Sequence, residues 1–242
     1  MRKIAIALLL LNTLAARSQE NEAFYVFNAD WTPTKIDSAH FLLHVHKLAE
    51  GCWQWDYYNF IGPLLKTEQY ADKDGHNRNG VTRFYNAEGL LDSSATFKNG
   101  KMDGDAYKLT TDSFRIKMKY VYCDDTLVSV IDPAIDKKDS IQSIEKESEF
   151  PGGLNQWVRY LNKHLKYPDR AVNSESEGEV RVLFIVGKEG EIQDPYIGKS
   201  VEYSLDGESL RIVIASGKWQ PGVKDGKVVK TYKIQPVVFR LK

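Results

Sequence analysis

The chain has 242 residues, with 33 Lys+Arg against 33 Asp+Glu and a formal net charge of zero, so it lacks the basic excess of a global nucleic-acid binder. Apolar residues make up 42% and charged residues 27%, the balance of a globular chain rather than a disordered one. Two cysteines, Cys52 and Cys123, are too few for a disulfide scaffold and form no Cys-x-x-Cys zinc pair.

Met1-Arg2-Lys3 followed by an apolar run from Ile4 to Leu11 has the order of a secretory signal peptide over residues 1–18. Ala16 and Ser18 supply small residues at the −3 and −1 positions of a cut before Gln19. The rival reading is an uncleaved anchor, but a spanning helix needs ~20 apolar residues. The expectation is therefore export to the periplasm, with inner-membrane anchoring as the alternative if the leader stays. Export permits disulfides, and the sequence leaves Cys52 and Cys123 open between a bridge and two free thiols.

Residues 19–149 hold 15 Lys/Arg against 22 Asp/Glu, whereas residues 150–242 hold 15 against 11. The asymmetry points to two different modules. In the first, residues 19–131, the segment Asp37 to Glu50 reads as a helix, with Phe41, Val45 and Leu48 near helical spacing. His40 and His44 are four apart on that helix, with His46 and Glu50 near them. No cysteine or well-spaced third histidine completes a metal set, so neither metal nor cofactor is expected. Trp53, Trp55, Tyr57, Tyr58 and Phe60 fill a core or, alternatively, line a binding surface.

From about residue 61 to 130 the text repeats. Phe84 and Tyr107, and Phe97 and Tyr120, stand 23 apart, and Gly-bearing turns recur between them. Such a period implies stacked two-stranded units that share one core. The run Tyr85-Asn86-Ala87-Glu88-Gly89, then Phe97-Lys98-Asn99-Gly100-Lys101-Met102-Asp103-Gly104, resembles the MORN-type repeat. That resemblance implies a curved sheet used for scaffolding or binding, or a spacer. Residues 132–149 are charged, nearly free of aromatics and read as a linker.

In residues 150–242, Leu154, Trp157, Val158, Leu161 and Leu165 place one apolar stripe on a helix, ended by Tyr167-Pro168. Val180 to Val186 reads as an inner strand, because both of its faces are apolar. A turn at Lys188-Glu189-Gly190 leads to a strand near Ile192–Ile197. Leu205 to Ser216 reads as a second helix, with Leu205, Leu210, Val213 and Ile214 inward and Asp206 and Glu208 at its positive end. Trp219-Gln220-Pro221-Gly222 has the residues of a type II turn. A final strand runs from Lys227 to Leu241, and Pro236 inside it marks an edge or a bulge.

The order of signatures is Phe150-Pro151-Gly152-Gly153, Tyr167-Pro168, Val180-x-Val182-x-Phe184-x-Val186, Leu205-Asp206, Trp219-x-Pro221-Gly222, Gly226-Lys227 and Pro236-Val237-x-Phe239. It resembles the C-terminal domain of TonB, with departures at Gly207 and Ser209. The expected fold class is α+β: a three-stranded antiparallel sheet with two helices, preceded by a mostly β repeat domain. The resemblance implies that an extended TonB-box segment of an outer-membrane transporter, or of another envelope protein, adds to the final strand along Val228–Ile234. It places Tyr167, Pro168, Arg170, Val228, Lys230, Tyr232 and Ile234 at the partner, with Lys233 tuning selectivity. The same edge also allows a homodimer. The long anchor helix and Pro-rich rod of an energy transducer are not evident. A membrane-anchored transducer and a repeat scaffold without a transport role are the alternatives. There is no Gly-x-Ser-x-Gly, phosphate loop or His-Glu-x-x-His, so no enzyme is expected.

Overall fold

Strands dominate the computed structural model, which describes residues 21–48, 51–110, 113–133 and 145–241. The expected leader, residues 1–18, and residues 134–144 of the charged connector lie outside the described residues. Nine strands follow one another: β1 (Glu22–Phe27), β2 (Phe41–Lys47), β3 (Trp53–Asn59), β4 (Leu64–Tyr70), β5 (Gly80–Tyr85), β6 (Leu91–Lys98), β7 (Lys101–Leu109), β8 (Ile116–Cys123) and β9 (Thr126–Ile131). They form one sheet in sequence order, and every pairing is antiparallel.

Turn chemistry sets this meander. Asn99 and Gly100, both at positive φ, join the paired Lys98 and Lys101. This is the two-residue turn whose twist matches the flanking strands. Asp124 and Asp125 do the same between Cys123 and Thr126. The 23-residue spacing surfaces as contact between these turns. Asp124 Oδ1 lies 3.2 Å from Lys101 Nζ, and Asp125 Oδ1 accepts the Met102 N–H at 2.7 Å.

The helix expected over Asp37 to Glu50 is a correction. Its start is a short 3-10 turn, Ile36–Ser38, and β2 occupies Phe41–Lys47; residues 49–50 lie outside the described residues. Leu42, Leu43, His44 and Val45 are all buried. A strand covered on both faces shows no clean alternation, and its apolar positions then imitate helical spacing. Cys52 and Cys123 are free thiols.

The C-terminal half contains α1 (Gly153–His164), α2 (Asp169–Asn173), β10 (Gly178–Val186), β11 (Ile192–Lys199), α3 (Tyr203–Ile214), β12 (Gly222–Lys224), β13 (Lys227–Val229) and β14 (Thr231–Phe239). The fold is α+β, as expected: β11-β10-β14 form an antiparallel sheet with β10 central. Four details differ from the sequence reading. Leu154 and Val158, placed on the buried stripe of α1, are 74% and 46% exposed, while Trp157 is buried. On α3, Ile214 points outward and Asp206 is buried instead. Gly222 is absent from the residues with positive φ, so no type II turn forms; Gln220 instead bridges to Glu149 and Gly222 opens β12. The single strand expected from Lys227 to Leu241 is broken, because β13 folds back on β12 through Asp225-Gly226 and β14 starts only at Thr231.

The two sheets share a core. Leu42, Tyr58 and Leu64 of the nine-stranded sheet belong to the same buried cluster as Trp157, Val182, Phe184, Ile197, Leu205 and Trp219. Residues expected in the linker also join the fold. Lys146 pairs with Val223, and Glu149 with Gln220.

Candidate functional site

A three-stranded sheet has two edges, and here they are treated differently. The β11 edge is covered by the nine-stranded sheet. Leu90 bridges to Lys199, the Ser200 N–H donates to Gly89 O at 2.8 Å, and the Tyr85 hydroxyl donates to Ile197 O at 2.7 Å. The Arg83 guanidinium lies over the Tyr196 ring at 4.2 Å. The other edge, β14, pairs with β10 and with no second strand among the described residues.

Register settles which groups face that open side. Pro236 stands opposite Arg181 in an unbroken ladder. Proline has no N–H, so within a sheet its nitrogen takes the side away from the neighbouring strand. Backbone direction alternates along a strand, so the N–H and C=O groups of Tyr232, Ile234 and Val238 also point outward. Their side chains lie on the face opposite the helices, at 76%, 40% and 46% exposure. Thr231, Gln235, Val237 and Phe239 are buried. Among the described residues this edge thus presents a short row of backbone donors and acceptors with no strand partner, interrupted at Pro236, whose carbonyl accepts the Gln235 Nε2–H at 3.2 Å.

On the helix side of β14 a depression of about 200 Å³ is lined by Phe150, Leu154, Trp157, Trp219, Lys233 and Gln235. Lys233 Nζ donates to Ser148 O at 2.8 Å, so this cation anchors the segment leading into α1.

The other partner residues expected from sequence are dispersed. Val228 is exposed on β13, paired with Val223. Lys230 lies between the strands and donates to Gln193 Oε1 at 3.0 Å. The Tyr167 hydroxyl donates to Ser176 O at 2.7 Å, and its ring meets Phe239 edge-on at 5.5 Å; Pro168 precedes α2. Arg170 is committed to the seam between the sheets, where it bonds Glu202 and the Phe60 carbonyl and covers the Phe60 ring. Glu202, in turn, caps α3 through the Ser204 N–H at 2.8 Å.

Asp206 forms a buried polar node in the same seam. Ser200 Oγ accepts the Leu64 N–H at 2.8 Å and donates to Asp206 Oδ2 at 2.5 Å, while the Val201 N–H donates to Oδ1 at 3.1 Å. Burial, with the nearby Glu202 charge, pushes the Asp206 carboxyl up to about 8 against the opposing pull of these donors.

Sequence reasoning missed a second constellation. His44 and His46 sit two apart on β2 and face Asp56 of β3; the signal was the His-x-His alternation, obscured by the helical reading. Glu22 of β1 is 2.7 Å from His44 Nε2. His40, singled out with His44 by the helical spacing, is not in the cluster; its Nδ1 lies 3.3 Å from Ser38 O.

Residues 163–241 match the family model described as the Gram-negative bacterial TonB protein C-terminal. The match begins inside α1 and leaves Phe150-Pro151-Gly152-Gly153 outside it. No curated protein and no solved structure matches the chain. The C-terminal sheet with its helices is thus similar to the TonB C-terminal domain, and here it is joined through a common core to a nine-stranded antiparallel sheet.

Proposed function

We propose that this chain is an exported, TonB-like envelope protein that captures an extended segment of an outer-membrane transporter by adding it as a strand to β14. The observation that carries the proposal is the asymmetry of the sheet: β11 is covered by the protein's own chain, and β14 meets no second strand among the described residues. An unpaired edge binds an extended peptide through main-chain hydrogen bonds, and alternate side chains give selectivity. Tyr232 and Ile234 belong to that edge. Val228 and Lys230 border its start, and Tyr167 and Pro168 lie toward its Phe239 end. Arg170 acts through the seam.

The family similarity supports a transport-associated role in the cell envelope, and the apolar segment Ile4 to Leu11 supports export. Among the described residues no helix is long and apolar enough to cross a membrane. The test is fluorescence anisotropy of a labelled TonB-box-type peptide titrated with the full chain. Saturable binding that is lost when proline replaces alternate peptide residues supports the reading. Absence of binding at millimolar protein contradicts it, and concentration-dependent self-association without peptide binding would assign the edge to a second copy instead.

A further inference from the structure

We propose that His44, His46 and Asp56 form a binding site for a divalent transition-metal ion of the zinc class. The site is built by strand geometry. Residues two apart on a strand share a face, which brings the rings of His44 and His46 together at 4.4 Å between centroids, tilted by 11°. Register places Asp56 directly opposite His44 on the neighbouring strand. One ligand atom from each residue lies within 4.8 Å of the other two. His46 Nε2 is 2.9 Å and His44 Nδ1 3.8 Å from the same oxygen, Asp56 Oδ2. Tetrahedral zinc with bonds of 2.0–2.2 Å places its ligand atoms roughly 3.3 Å apart, so shifts on the order of an ångström complete the geometry.

Neighbouring groups already orient this set. Glu22 Oε1 lies 2.7 Å from His44 Nε2. An ionised carboxylate only accepts, so the proton belongs on Nε2 and the Nδ1 lone pair is turned toward Asp56. A histidine held by a carboxylate through its far nitrogen is the usual outer support of a metal ligand. Gln54 Nε2 donates to Asp56 Oδ1 at 2.8 Å, leaving Oδ2 as the shared acceptor. Asp56 Oδ2 accepts the His46 Nε2 proton at 2.9 Å, so an incoming ion takes the place of that proton between Oδ2 and His46 Nε2. It also meets the His44 Nδ1 lone pair, in a place where the side chains of His44 and Asp56 are only 11% and 10% exposed.

Phe24 stacks on His44 at 4.6 Å, and Tyr203 of α3 meets it edge-on at 5.1 Å, so the rings are packed in place. Two imidazoles and one carboxylate suit zinc, cobalt or nickel rather than magnesium or calcium, which favour all-oxygen sets. A fourth position is left to water. Because Tyr203 belongs to the C-terminal half, a bound ion would also stiffen the seam.

The test uses the full chain freed of metal with a chelator. Zinc is titrated by calorimetry, and cobalt is followed by its d–d absorption. One ion per chain is expected, with the absorption pattern of tetrahedral cobalt. His46→Ala and Asp56→Asn should each weaken binding by about 100-fold or more, and Glu22→Gln by about 10-fold, as for an outer-shell partner. His76→Ala, at an exposed histidine beside Asp72, should change nothing. Should the cluster variants fail to fold, nitrogen shifts of the His44 and His46 rings on adding zinc to the unsubstituted chain give the same reading. No saturable binding at millimolar zinc, ring shifts confined to other histidines, or affinity that survives both His46→Ala and Asp56→Asn overturns the proposal.

Discussion

Asp206 shows how a single side chain reports on the junction of the two sheets. It occupies the first turn of α3, where an acid complements the helix dipole, and the sequence reading stopped at that local logic. The structure adds complete burial, with a hydrogen bond from Tyr58 and a link through Ser200 to the Leu64 N–H, residues more than a hundred positions away. No local pattern encodes such a contact. An acid held at about 8 in the fold and 3.8 in the unfolded chain binds its proton more tightly when folded. The stability it contributes is complete below about pH 4 and is lost as pH rises through about 8. Melting curves of the wild type and Asp206→Asn across that window should therefore diverge, with the wild type losing ground to the variant as pH rises. Parallel curves would show that Asp206 does not titrate in this range. Arg170 teaches the same lesson: its charge was legible as a binding group, but its partners Glu202 and Phe60 were not.

At the scale of elements, β10 and β11 were legible because their apolar pattern agrees with their turn residues, and α1 and α3 were legible as helices although Leu154, Val158 and Ile214 face outward. The Asn99-Gly100 turn was legible for the same reason. β2 was not, since burial on both faces erases alternation, and the break at Lys230 was hidden because Val228, Val229 and Tyr232 all favour strands. Pro236 was the most informative residue of β14. It marked an edge or a bulge, the unbroken ladder decides for the edge, and its register predicts which backbone positions face away from β10. Ile234→Pro removes an outward N–H and leaves the β10 ladder intact, so the fold should persist while peptide affinity falls ~3- to 10-fold, the worth of one hydrogen bond. Lys233→Pro removes an inward N–H, leaves its ladder acceptor on β10 unpaired, and should destabilise the sheet by about 1–3 kcal/mol. Circular dichroism melts with peptide titration separate the two. Equal loss of stability in both variants would refute the assigned backbone direction.

At the scale of the molecule, composition and charge suggested two unlike halves, and the shared core makes them structurally interdependent. Two glycines test this. Gly89 and Gly100 both have positive φ, so alanine at either costs about 1 kcal/mol or somewhat more. Space around Gly100 is open, whereas a Cβ on Gly89 would lie 2.5 Å from Ser200 O and 2.6 Å from Pro63 Cβ, at the seam. In urea, Gly89→Ala should therefore lose clearly more stability than Gly100→Ala, each within a single cooperative transition. Two separate transitions would mean that the halves fold alone.

Strand capture at β14 is tested most directly by residue-resolved amide hydrogen exchange on the full chain, with and without a saturating TonB-box-type peptide. The outward amides of Tyr232, Ile234 and Val238 should exchange quickly in the free protein and slow markedly with peptide, while the inward amides of Lys233 and Gln235 are protected in both. Slow exchange of the outward amides before peptide is added, or protection that appears elsewhere and spares β14, would contradict the account.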